Sequence, residues 1–268
     1  SDGCHEAVPA ERLAMSMGGR LGGLRDSLTG RTDAGPRVIT ILGMHRSGTS
    51  SLVGSLEAAG LPLGEVRREG GDSNEKGHRE PGEIIRLHDD VLMNSRGAWF
   101  LPPASVEWSA EQRERRDAFI ATHAEQPLWG WKEPRTLLVI DGWLEVLPQL
   151  EFVGTFRHPL VVARSLKRRH GNDTPRMWLD VWLAYNDILL RLAEERGLPL
   201  IDFDLPAEAY AARLRAIVEE LRLPGGEDDF FDASLRTSQK KLPDADLPTD
   251  VAHVYARLKE TAAAQAAR

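Results

Sequence analysis

The chain of 268 residues holds a single cysteine, Cys4, which excludes an internal disulfide framework and a cysteine-rich metal site. Cys4 lies in a terminal segment and reads as a bystander thiol. No apolar run reaches the roughly 18 to 20 residues that span a bilayer. The sequence opens on no signal-peptide pattern, and it starts SDGCHE without Met, as an excised or processed piece of a longer protein would. A cytoplasmic location is therefore expected. Positive charge is in short supply: the net charge of −7 argues against a nucleic-acid partner. The H-E-x-x-H spacing of a zinc site is absent, and no metal is expected. Internal repeats and long low-complexity tracts are missing as well.

What is present is an ordinary globular composition, 41% hydrophobic and 28% charged, in a length suited to one domain with an appendage. Residues 1–36 are rich in Gly, Arg and Ala, and read as an N-terminal arm or linker; residues 37–268 form the domain. "RVITILG" (37–43) is a continuous β-branched apolar run, as in a buried parallel strand. Helical spacing follows through Leu52, Leu56 and Ala59. Residues 62–82 read as a polar loop, "EIIRLHDDVLMNS" as a helix, and 109–125 as another. "PLWGWKEPRTLLVIDGWLEVLP" gives a short strand, a turn at Glu133-Pro134 and a further helix. "EFVGTFRHP" is a second buried strand, "LVVARSLKRRHG" a helix ending at Gly171, and "MWLDVWLAYNDILLRLAEERG" a long amphipathic helix. The strand "LPLIDFD" and helices near 206–222 and 248–265 complete the chain. Strands alternating with helices predict an α/β domain with a central parallel sheet flanked by helices.

"GMHRSGTS" (43–50) joins the first strand to its helix, an arrangement that turns backbone N–H groups and a helix N-terminus toward an anion. Gly43 and Gly48 have Walker spacing, but Thr49 and Ser50 stand where that motif has Lys and Ser/Thr. The charge sits at Arg46 instead, so the loop suits a terminal group less highly charged than a triphosphate.

"HRSGTS" resembles the 5′-phosphosulfate loop of sulfotransferases that use 3′-phosphoadenosine 5′-phosphosulfate (PAPS), whose tyrosylprotein and bacterial branches often carry Arg in the basic slot. "FRHPLVVARS" adds Arg157 and Ser165 eight residues apart with Pro159 between, resembling the family's 3′-phosphate site. "WGWKEPRT" resembles its K-[DE]-P segment, which implies that Lys132 approaches the sulfonate or the bridging oxygen; the alternative is a solvated Lys132–Glu133 pair. Arg135 is left open between a structural role and donor binding. "FFDASLRTSQKK" resembles a late segment of bacterial relatives and implies a donor contact by Arg236. "NEKGHRE" resembles the bacterial "NPKGYxE", which puts Glu80 in the slot of the general base, with His78 as runner-up because His78 and Arg79 replace the usual aromatic pair. Glu80 could equally be a loop ion pair or an N-cap.

The resemblance implies a P-loop-like sulfotransferase fold and PAPS as donor, without metal. Ser47, Gly48, Thr49 and Ser50 with Arg46 would hold the 5′-phosphosulfate, and Arg157 with Ser165 the 3′-phosphate. Arg46 and Lys132 would steady the bridging oxygen. The acceptor would be a small molecule, carbohydrate or peptide; the chain carries no motif for any one of them, nor for an oligomeric state. A P-loop kinase-like phosphotransferase and a non-catalytic nucleotide-binding module are the competing readings. His88 and Asp89 lie away from the start of their helix and read as surface residues. Trp178, Trp182 and Tyr185 share one helix face and read as core. The basic run Arg164, Lys167, Arg168, Arg169 and His170 is explained by its place beside the 3′-phosphate site.

Overall fold

The computed structural model describes residues 35–66, 68, 77–171, 174–225 and 246–267. Residues 1–34 of the expected arm, Asn74 and Lys76 of "NEKGHRE", and Arg236 with the segment around it lie outside the described residues.

Four strands form one parallel sheet: β1 (Arg37–Leu42), β2 (Leu128–Lys132), β3 (Glu151–Phe156) and β4 (Leu200–Asp202), in the order β2-β1-β3-β4. Between β1 and β2 lie α1 (Thr49–Ala58), α2 (Gly82–Asn94) and α3 (Ala110–Ala121). After β2 come a 3₁₀ turn (Pro134–Leu137) and α4 (Ile140–Leu144). The helices α5 (Pro159–His170) and α6 (Pro175–Arg196) connect β3 to β4, and α7 (Ala207–Glu220) and α8 (Thr249–Ala266) follow. This is the α/β architecture expected from the alternation of apolar runs.

Because a parallel sheet is covered on both faces, β1 is buried from Val38 to Leu42, and the period of two sorts its apolar side chains between two cores. Val38 and Leu42 join Phe152 and Phe156 in the larger core, under α2, α5, α6 and α8. Ile39 and Ile41 join Val153 in the smaller one, under α1 and α7. The expected core stripe on α6 is buried: Trp178, Trp182 and Tyr185 all lie in the larger core.

The turn expected at Glu133-Pro134 is a 3₁₀ turn, and the helix expected after it is five residues long. The turn is held by i→i+3 bonds, Thr136 N–H to Glu133 O and Leu138 N–H to Arg135 O, the tighter ladder that short connectors adopt.

The topology places a crevice. β1 and β3 are neighbours, with Leu42 opposite Gly154. The helix that follows β1 packs into the smaller core, whereas the helix that follows β3 packs into the larger one. Their loops therefore leave the carboxyl edge in opposite directions, and ligands of open α/β sheets bind where this happens.

Candidate active site

The loop after β1 turns sharply. Gly48 has φ 89°, and a Cβ there would stand 2.1 Å from Cδ2 of Phe203, so only glycine fits. Arg46, a non-glycine residue, is also left-handed, at φ 69°, a conformation that costs on the order of 1 kcal/mol and is kept where the surroundings impose it. From β3, Thr155 donates its hydroxyl to Ser47 O at 3.0 Å. Ser47 Oγ is buried and has no hydrogen-bond partner among the described residues. An orphaned hydroxyl is costly to keep, and it fits a loop whose missing partner is a bound anion.

Arg46 joins this loop to the next predicted site. Its Nε donates to Ser165 Oγ, in the second turn of α5, at 3.0 Å. Burial lowers the Arg46 pKa, and Arg169, Arg157 and Arg168 lower it further. Arg168 and Arg169 stand exposed in the last turn of α5, so the basic run beside Ser165 reaches electrically to the loop. Like charges gathered this way favour an anion among them.

Arg157, just past the end of β3, donates from Nε to Asp204 Oδ1 at 3.0 Å and lies over the Phe203 ring, 5.1 Å from its centroid. Asp204 also accepts from the His158 N–H at 2.9 Å. Trp182 Nε1 donates to Arg157 O at 3.1 Å; part of the aromatic stripe thus holds the arginine's backbone. The same β4 end that supplies Phe203 against Gly48 supplies Asp204 to Arg157.

Lys132 ends β2, opposite Ile41 of β1. Its side chain is fully buried, and Nζ lies 2.6 Å from Glu80 Oε1 and 3.4 Å from Ser50 Oγ. The two residues predicted as base and as sulfonate contact are paired with one another beside the first turn of α1. Burial lowers the Lys132 pKa, Glu80 and Glu133 raise it, and Arg79 lowers it. His78 is half-buried; burial lowers its pKa, Glu80 raises it, and Lys132, Arg169 and Arg46 lower it. The reading of Glu80 as a loop ion pair is thus met in the geometry.

The solvated Lys132–Glu133 pair is overturned: both side chains are fully buried, and Glu133 turns the other way. Its carboxylate meets His88 Nδ1 at 2.6 Å and the Arg135 guanidinium. His88 is not on the surface. It is fully buried, accepting Trp143 Nε1–H on Nε2 at 2.9 Å. The i, i+3, i+4 apolar pattern of α2 brackets position 88 between Leu87 and Val91, and this was the signal of its inward direction. Asp89 pairs with Arg135 Nε at 2.7 Å, which gives Arg135 a structural place. His45, next to Arg46, packs against Trp99 with ring centroids 4.7 Å apart. Its Nε2 is buried without a partner among the described residues, and burial lowers its pKa to about 3. Nothing in the spacing of "GMHRSGTS" singled it out.

No protein-family model and no curated protein matches the sequence. Solved structures do match. The sulfotransferase domain from the curacin biosynthetic pathway aligns over 84% of this chain and 98% of its own, at 16% identity and a TM-score of 0.52. The sulfotransferase domain of the Synechococcus PCC 7002 olefin synthase aligns over 85% and 97%, at 19% identity and the same TM-score, 0.52. The chain has the sulfotransferase fold. No described helix is long and apolar enough to cross a membrane.

Proposed function

We propose that this chain is a PAPS-dependent sulfotransferase, moving a sulfuryl group to the hydroxyl of a small-molecule, carbohydrate or peptide acceptor by in-line transfer. The observation that carries the reading is the Arg46–Ser165 bond. It joins the loop suited to one anion to the helix suited to a second. The buried Ser47 hydroxyl and the converging Arg46, Arg157, Arg168 and Arg169 charges support an anionic, doubly phosphorylated ligand.

On this reading the backbone N–H groups at the start of α1, with Ser47, Thr49 and Ser50, hold the 5′ end. Arg157 and Ser165 hold the 3′-phosphate. Glu80 removes the proton of the acceptor hydroxyl. Arg46 and Lys132 stabilise the charge that grows on the bridging oxygen as the S–O bond breaks, from positions fixed before the reaction begins. Lys132 also accounts for the missing Walker lysine: a neighbouring strand brings an ammonium to Ser50, the residue next to the position a Walker lysine would occupy. The fold of the two biosynthetic sulfotransferase domains supports the reaction class. A cytoplasmic, bacterial enzyme without a metal fits the same reading.

Calorimetry with adenosine 3′,5′-bisphosphate against ATP and Mg²⁺ tests the donor site. A sulfate-transfer assay with labelled PAPS over a mixed acceptor panel tests the activity. Binding of the bisphosphate without need of Mg²⁺, and label transfer to a hydroxyl, are expected. Binding of ATP alone would instead favour the kinase-like reading. Bisphosphate binding with no transfer to any acceptor would favour the non-catalytic module.

A further inference from the structure

One carboxylate that no sequence motif singled out, Asp204, stands directly against the arginine of the proposed 3′-phosphate site. Oδ1 of Asp204 accepts from Arg157 Nε at 3.0 Å, and the two side chains are each only 11% exposed. Oδ2 accepts from the His158 N–H at 2.9 Å, so the carboxylate is held from both oxygens.

The backbone that delivers it is fixed as well. Asp204 N–H donates to Asp202 Oδ1 at 2.9 Å and Leu205 N–H to Asp202 O at 3.3 Å, which closes a turn directly after β4. Phe203 N–H donates to Phe156 O at 2.9 Å, tying the turn to the last residue of β3. Phe203 itself lies against Gly48 of the loop after β1 and under the Arg157 guanidinium. Two consecutive residues thus face the two predicted anion sites, Phe203 touching the first and both touching Arg157.

What this does to Arg157 follows from its shape. A guanidinium bonded at Nε and resting on a ring, 5.1 Å from its centroid, has its plane set, and with the plane the directions of both Nη groups. Bidentate contact with a phosphate depends on that direction as much as on charge. A side chain ordered beforehand also loses less freedom when the ligand arrives. Charge alone acts the other way, because a carboxylate beside the arginine offsets its charge and repels a phosphate bound there. Orientation and charge therefore predict opposite signs for the loss of Asp204.

Resting on the reading of Arg157 as a 3′-phosphate ligand, we propose that Asp204 is a positioning residue that sets the selectivity of the donor site: it holds the Arg157 guanidinium in the orientation that meets a 3′-phosphate, and so favours an adenosine nucleotide carrying that group over one without it.

The test is calorimetry of the full chain with adenosine 3′,5′-bisphosphate and with adenosine 5′-phosphate, in wild type, Asp204→Asn, Arg157→Ala and the double variant. The quantity read is the ratio of the two affinities. Asp204→Asn is expected to lower it about tenfold, with the 5′-phosphate affinity held within about twofold. Added to Arg157→Ala, which has no guanidinium left to orient, the same change should lower the ratio by no more than about twofold. A ratio that rises means that Asp204 acts by charge alone, and overturns the proposal. An unchanged ratio, an equal loss for both nucleotides, or a full tenfold loss in the Arg157→Ala background overturns it too. If Asp204→Asn does not fold, Asp204→Glu keeps the charge and displaces it by one methylene; a lowered ratio is again expected, and a wild-type ratio is again decisive. A wild type that does not prefer the bisphosphate would remove the donor reading and this proposal together. A wild-type preference that survives Asp204→Asn would remove this proposal and spare the donor reading.

Discussion

Arg46 and Ser165, 119 residues apart in the chain, meet through a 3.0 Å hydrogen bond from Nε to Oγ. The bond crosses the crevice between the loop after β1 and α5, so it ties together the two halves of the proposed donor site. Ser165→Ala is expected to weaken adenosine 3′,5′-bisphosphate binding about tenfold, the scale of one hydrogen bond to a charged group. Arg46→Ala should cost on the order of 10²- to 10³-fold in kcat/KM with the fold retained. Calorimetry and steady-state kinetics check both, and wild-type values from both variants would refute the assignment.

Lys132 and Glu80 form a pair that neither can leave without consequence. Lys132→Met strands the carboxylate of Glu80, whose side chain is only 14% exposed, and should destabilise the protein by about 3 kcal/mol. Adding Glu80→Gln should restore most of that stability and none of the activity. Urea unfolding of the two single variants and the double variant reads the coupling. Additive losses would mean that the pair is not energetically linked.

Acid should weaken the fold by a stated route. The folded-state pKa of His45 is lowered to about 3, chiefly by burial, so the unfolded chain binds this proton first. Stability that is full above about pH 6.5 is then lost as pH falls toward about 3, at up to ~1.4 kcal/mol per pH unit. Glu133, lowered to about 2 by His88 and Arg135 against its burial, adds a second loss of the same sign between the ordinary carboxylate range and pH 2. His45→Gln should flatten the slope between pH 6 and 4 in urea titrations while leaving the lower window in place. An unchanged slope would assign the effect elsewhere.

Gly48→Ala is expected to be severe. The left-handed φ of 89° and the Phe203 ring 2.1 Å from a Cβ act together, and one of them must yield. A loss of about 2 kcal/mol or more and of measurable bisphosphate binding is predicted. Ser50→Ala, two residues on, should spare the fold. Thermal melts and calorimetry of the two variants side by side make the comparison.

Much of this protein could be read along the chain because the signals are local. The β-branched run before Gly43 and the apolar period of α2 and α6 each act within one element. The separation of Arg157 from Ser165 spans one strand end and two helical turns. Backbone sterics and amphipathic burial decide such features within a few residues, so the α/β class was legible. The subdivision after Pro134 was not, since the choice between 3₁₀ and α geometry depends on what packs above it.

The linear sequence determined which groups are available: an arginine in a glycine-flanked turn, a lysine before Glu133-Pro134, a glutamate ahead of α2. Folding alone decided which of them meet. Lys132 reaches Glu80 across 52 positions and Glu133 reaches His88 across 45, because the order β2-β1-β3-β4 sets the end of β2 beside the first turn of α1 and under α2. Whether a buried charge finds its partner is a matter of distance in space, and spacing along the chain does not contain it.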